Sequence, residues 1–235
     1  MIIQSKAYKI AIIGDSLSVG GAERVHARLS EYFVANNHQV FNCIFLDSVT
    51  YKYSGELFNL GKIHKNSNPI TRKISRFIKL KQFVEKNQFD VIIDFRMRNV
   101  FVQEFLISNL IYKKKAIFSV RSGVLNYYFP KSSFLSKLIY KNKKIVAVSS
   151  AVKDKIIQKK FAQNVTYIYN PIDFDEIIKY SRRFDSRIRN LGKDFDRELV
   201  EALAIVGCFY KDKKDFLIRD DSDDKKKKGA ILAAA

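Results

Sequence analysis

Tyr8-Lys-Ile-Ala-Ile-Ile-Gly14 runs through Asp15 to Val19 into Gly20-Gly21-Ala22-Glu23-Arg24-Val25. A short apolar run that meets paired glycines and then a helical period reads as a buried strand, a tight turn and a helix. From Gly21 to Ala35 the spacing of Val25, Leu29 and Phe33 makes one apolar stripe, with Arg24, Arg28 and Glu31 opposite. Paired glycines let another molecule approach the backbone, and the N–H groups that open a helix favour an anion, so phosphate is the natural guest of such a turn.

Outward from this unit, short apolar runs alternate with longer helical ones. Strands are predicted at residues 8–13, 39–46, 91–95, 115–120, 144–148 and 165–169, with a weaker one near 59–64. That alternation predicts an α/β fold: a Rossmann-like, doubly wound, mostly parallel sheet with helices on both faces. A helix over residues 70–86 is predicted to bury Ile74, Phe77, Ile78 and Leu80 to Phe83, with Arg72, Lys73, Arg76, Lys79 and Lys81 around them. Such a basic helix is either a solvated face or a surface for anionic lipid. Residues 99–112 read as a further helix, and Ser132 or Ser133 as the cap of one that runs to Tyr140.

Forty-three basic against twenty-four acidic side chains give a formal charge of +19 over 235 residues, which attracts anionic partners without choosing among them. No apolar run approaches the roughly 20 residues that span a bilayer. The start carries no signal-like pattern, so a cytoplasmic site is expected, peripheral at most at the inner face of the membrane. Cys43 and Cys208 have no disulfide-framework or metal-site spacing and read as buried thiols. No His/Cys cluster or Asp-x-Asp pair suggests a metal, and no nucleic-acid motif is present. His26, His38 and His64 are scattered, with no partner placed by spacing, and are assigned no chemistry.

The string from Gly20 to Val25, the segment Val146-Ala-Val-Ser149-Ser150-Ala-Val and the later Asn170-Pro171-Ile172-Asp173 occur in an order and separation that resemble the acceptor-side domain of family 4 glycosyltransferases, which have the two-domain GT-B fold. The resemblance spans roughly residues 8–180. It implies transfer of a sugar from a nucleotide-sugar donor, with retention, to a glycan or polyprenyl-linked acceptor in cell-envelope polysaccharide assembly, with no metal and no cofactor besides the donor. In such chemistry, stabilising the departing diphosphate matters more than a nucleophile.

On that reading Gly20 and Gly21 approach the diphosphate or acceptor, with Glu23 either in the cleft or an ordinary first-turn residue. Many family members have a histidine just after the strand Ala116-Ile-Phe-Ser-Val, where this chain has Arg121. Arginine can clamp a phosphate or carboxylate but cannot accept a proton, so Arg121 is the catalytic candidate in that electrostatic role. Arg96 follows another strand end and either contacts substrate or pairs with Asp94. Tyr127 and Tyr128 are packing residues or a platform for the acceptor.

The organisation expected is a Rossmann-like domain over residues 1–190, a remnant of a donor domain over 191–218 and a disordered Lys/Asp-rich tail over 219–235. Val206-Gly207-Cys208-Phe209-Tyr210-Lys211-Asp212-Lys213 resembles a degraded version of the family's donor-phosphate loop, with Lys213 at its lysine and Cys208 where arginine stands. The donor domain is then largely missing, and a truncated chain, inactive alone, is expected. The alternative is a non-catalytic basic module that docks on anionic membrane or a partner chain.

Overall fold

The computed structural model describes residues 6–63, 68–113 and 115–170, within the compact unit Met1–Pro171. His64, Pro171, Asp173, Cys208, Lys213, the expected donor-domain remnant and the tail lie outside the described residues.

A seven-stranded, wholly parallel sheet has the order β3-β2-β1-β4-β5-β6-β7. Its strands are β1 (Lys9–Gly14), β2 (Gln39–Ile44), β3 (Glu56–Asn59), β4 (Val91–Asp94), β5 (Ala116–Val120), β6 (Lys144–Ala147) and β7 (Val165–Tyr167). The order reverses between β1 and β4, and at such a switch point two neighbouring crossovers diverge and leave a crevice beyond the strands' carboxyl ends.

Strand β1 lies between β2 and β4 and is buried from Ile10 to Gly14, which explains its unbroken apolar run. Helix α1 (Gly21–Ala35) covers one face through Val25, Leu29 and Phe33, as predicted, against Ile10, Ile12, Val40 and Phe95. On the other face lie α2 (Pro69–Asn87), α3 (Phe101–Leu106), α4 (Ser133–Tyr140) and α5 (Ser150–Gln158), over a core that includes Phe41, Phe83, Phe118, Tyr140 and Ile156. Asn68 caps α2 through the Ile70 N–H at 2.8 Å, with Pro69 at its first position. Ser132 and Ser149 cap α4 and α5.

Three expectations are corrected. The weak strand near 59–64 is β3, displaced toward the N-terminus. Asn59 instead caps a tight turn over Leu60–Lys62 by accepting from the Gly61 N–H, and Gly61 sits so close to the Asp47 backbone that a Cβ would meet it at 2.2 Å. The helix over 99–112 is α3 continued by one wide turn over Ile107–Ile111. In α2, Leu80 and Phe83 are buried, but Ile74 and Ile78 are not: Ile70, Ile74 and Ile78 are 67%, 55% and 47% exposed, a row at every fourth residue. Among the described residues no helix is long and apolar enough to cross a membrane.

Past the end of β4, alternate side chains point to opposite faces. Asp94, Arg96 and Arg98 turn toward α3 and are buried. Arg96 Nη2 lies 2.6 Å from Asp94 Oδ2 and 3.1 Å from Glu104 Oε2, and the Ser108 hydroxyl donates to Glu104 Oε1 at 2.8 Å. Arg98, flanked by the rings of Phe118 and Tyr128, donates to the carbonyls of Asp94, Arg96 and Ser119. Two carboxylates and two guanidiniums thus balance in the interior. Removal of one member strands the others, so Arg98→Met is expected to lower unfolding free energy by about 3–5 kcal/mol, measured by urea denaturation.

Candidate functional site

At the carboxyl edge the chain leaves β1 through Gly14 and Asp15. Asp15 ties the switch point together: its carbonyl accepts from the N–H groups of Phe45 and Leu46, and its Oδ2 accepts from the Met97 N–H at 2.9 Å. Leu17 then pairs with the segment after β2, through the Ser48 carbonyl and the N–H groups of Thr50 and Tyr51. This holds the loop that delivers the paired glycines.

Gly20 has φ +141°, a conformation L side chains rarely adopt, and a Cβ there would meet Glu23 Oε2 at 2.2 Å. Gly21 is exposed with no atom within 4 Å of where a Cβ would stand, so the backbone at this helix start is open to approach. The Glu23 side chain folds back over Gly20 and its own N–H, and burial together with the charge of Asp15 raises its pKa. Asp15 is also shifted upward, chiefly by burial and partly offset by the Met97 N–H. A narrow cleft runs between them, lined by Gly14, Asp15, Glu23, His26 and Phe95.

Arg121 follows β5 and is half-buried. Its guanidinium lies 5.3 Å over the Phe95 ring, and its Nη2 contacts Asn170 Oδ1. The structure therefore brings together two motifs 49 residues apart in sequence. Among the described residues no carboxylate pairs with Arg121, its Nε has no partner, and burial lowers its pKa to about 10.

Arg96 does not belong to this rim. At 2% exposure, locked to Asp94 and Glu104, it cannot contact substrate, and the expectation that it would is corrected. Tyr128 is likewise interior: its ring packs on Arg98 and its carbonyl accepts from the Tyr140 hydroxyl, so it is no exposed platform. Tyr127 is 46% exposed on the same loop, whose position is held by the Arg98 N–H donating to its carbonyl.

His26, assigned no chemistry from the sequence, lies in the cleft wall. Its ring stacks on Phe95 and is fully buried, and Nε2 is 3.1 Å from Asn42 Oδ1. The signal was the position itself, one turn into α1 on the sheet-facing side, but its neighbours Phe95 and Asn42 come from other strands. Burial lowers its pKa from 6.5 to about 4, with Asn42 opposing. The unfolded chain takes up this proton below about pH 6.5 and the folded one only below about pH 4, so stability falls as pH drops through that window, by on the order of 3 kcal/mol. Urea midpoints measured from pH 7 to 4 are expected to show this loss in the wild type and not in His26→Gln.

The family model of glycosyltransferase family 4 matches residues 19–176, more than half of the chain. Among solved structures the chain is similar to a glycosyltransferase from Rickettsia africae ESF-5, with 14% identity and a TM-score of 0.53 over 80% of this chain and 51% of that one. It is also similar to the lipopolysaccharide outer core galactosyltransferase WaaB in apo form, with 18% identity and a TM-score of 0.42 over 70% and 46%. A third is an alpha-glucosyltransferase in complex with UDP and a 13-mer DNA, with 14% identity and a TM-score of 0.46 over 76% and 46%. The chain spans about half the length of these structures. No curated protein matches the sequence. The family match covers the glycine turn, the strand end at Arg121 and the Asn170 segment, and the fold carrying them is the Rossmann-like lobe of GT-B enzymes: the chain belongs to glycosyltransferase family 4.

Proposed function

We propose that this chain serves in transfer of a sugar from a nucleotide-sugar donor, with retention, to a glycan or lipid-linked acceptor in cell-envelope polysaccharide assembly. The described lobe forms the acceptor side, and Arg121 clamps the diphosphate as it departs. The observation that carries this is the guanidinium of Arg121, half-buried and, among the described residues, without a carboxylate, at the strand-end edge where the glycine turn also opens. A fixed cation at the site of developing negative charge is the form of catalysis such a reaction needs, and no metal or further cofactor is invoked. Gly21 supplies open backbone close to the same anion, with Gly20 giving the turn its conformation under Glu23; Glu23 and Tyr127 stand on the acceptor side, and Lys213, outside the described residues, is proposed to reach the donor phosphate.

Calorimetric titration of the full chain with inorganic pyrophosphate tests the clamp. The wild type is expected to bind, and Arg121→Met to bind at least about tenfold more weakly, the loss of one charge-assisted contact. The cost of burying this cation is full at neutral pH and lifts only above about pH 10, so the variant without ligand is expected to melt no lower than the wild type. Equal binding by both proteins would overturn the assignment.

One further observation favours a peripheral location at an anionic membrane, where a polyprenyl-linked acceptor resides. The exposed row Ile70, Ile74, Ile78 on α2 runs beside Lys73, Lys79, Lys81 and Lys86, an apolar strip with cations at its border. Cosedimentation with phosphatidylglycerol vesicles is expected to fall with rising salt and to drop severalfold in Ile74→Glu, whereas phosphatidylcholine vesicles recover little protein.

A further inference from the structure

Three neighbouring strand ends decide where Asn170 meets Arg121. The Val148 N–H donates to the Val120 carbonyl at 2.9 Å, which ties the end of β6 to the residue before Arg121. The Ile168 N–H donates to the Ala147 carbonyl at 3.0 Å, which extends the pairing of β6 with β7 past the end of both strands. Arg121 stands one residue beyond the first bond and Asn170 two residues beyond the second. The ends of β5 and β7 are one strand apart, about 10 Å, a span that the long arginine side chain crosses.

The guanidinium is held there by two unlike contacts. It lies over the Phe95 ring at 5.3 Å, and its Nη2 donates to Asn170 Oδ1. Lys155 Nζ donates to the Gly123 carbonyl at 2.9 Å and so secures the loop that follows Arg121. A ring face restrains a cation loosely, and Arg121 Nε is buried without a partner, so the hydrogen bond from Asn170 is what sets the direction of the group. The chemistry of that partner matters. An amide oxygen accepts a hydrogen bond as a carboxylate oxygen does, but it carries no charge. An aspartate at the same place would make an ion pair and meet the charge of Arg121 from within the chain.

We propose that Asn170 is a positioning residue for Arg121, a neutral latch that fixes the direction of the guanidinium without discharging it. This rests on the diphosphate clamp proposed above and deepens it: the clamp needs the segment after β7 as well as the one after β5. A donor already held in place loses less freedom when an anion arrives, and therefore binds it more tightly than a mobile one.

Calorimetric titration of the full chain with inorganic pyrophosphate, beside thermal melting of the ligand-free protein, tests this in two variants. Asn170→Ala removes the latch and leaves the cation. It is expected to bind pyrophosphate about two- to tenfold more weakly, with the melting temperature unchanged. Asn170→Asp keeps the shape of the acceptor and adds a charge. It is expected to bind at least about tenfold more weakly and yet to melt no lower than the wild type, because the carboxylate offsets the cost of burying Arg121. Wild-type affinity in either variant would overturn the proposal and leave the clamp standing, as long as Arg121→Met still binds weakly. Melting and binding lowered together in Asn170→Ala would make Asn170 a structural residue and overturn it as well. Failure of the wild type itself to bind pyrophosphate would sink the clamp, and the latch with it.

Discussion

The buried charges that follow β4 hold the rest of the site in place. Asp94, Arg96, Arg98 and Glu104 form a neutral set in the interior, and Arg98 donates to three backbone carbonyls, those of Asp94, Arg96 and Ser119. Charges in such surroundings tolerate little displacement, because each is compensated only by its immediate neighbours. The path of the chain from β4 toward α3 is therefore set to within hydrogen-bond tolerance. Because side chains alternate along it, anchoring residues 94, 96 and 98 on one face directs Phe95 to the other, against α1.

Phe95 in turn organises the electrostatics of the rim. Against its ring lies a neutral histidine, in a wall shared with two carboxyls whose protonated forms are favoured by burial. Over the same ring lies the Arg121 guanidinium, with which no carboxylate pairs among the described residues. The charge of +19 over the whole chain attracts anions from a distance.

The periodicity of the sequence was legible wherever one element's own residues decided its surroundings. β1 shows an unbroken apolar run because it is buried between two strands, and the stripe of α1 reports the single face it covers. Legibility failed where a second element intervened. The isoleucines of α2 share the spacing of core residues, yet the sheet reaches only as far as Leu80 and Phe83, so half of a wide apolar arc is left at the surface. Arg96 had a substrate-facing position by strand-end logic, but Glu104, one helix away, turned it inward. His26 had no partner by spacing because Asn42 and Phe95 reach it from β2 and from the end of β4.

The sequence by itself determined the winding of the lobe and the position of the glycine turn, since backbone permissiveness and hydrophobic period are local properties of the chain. Tertiary structure alone decided which polar groups are available at the rim. Availability depends on what lies within a few ångströms in space: Arg96 and Arg121 are both cations just past a strand end, yet Arg96 is buried with carboxylates packed against it, and Arg121 has none against it among the described residues.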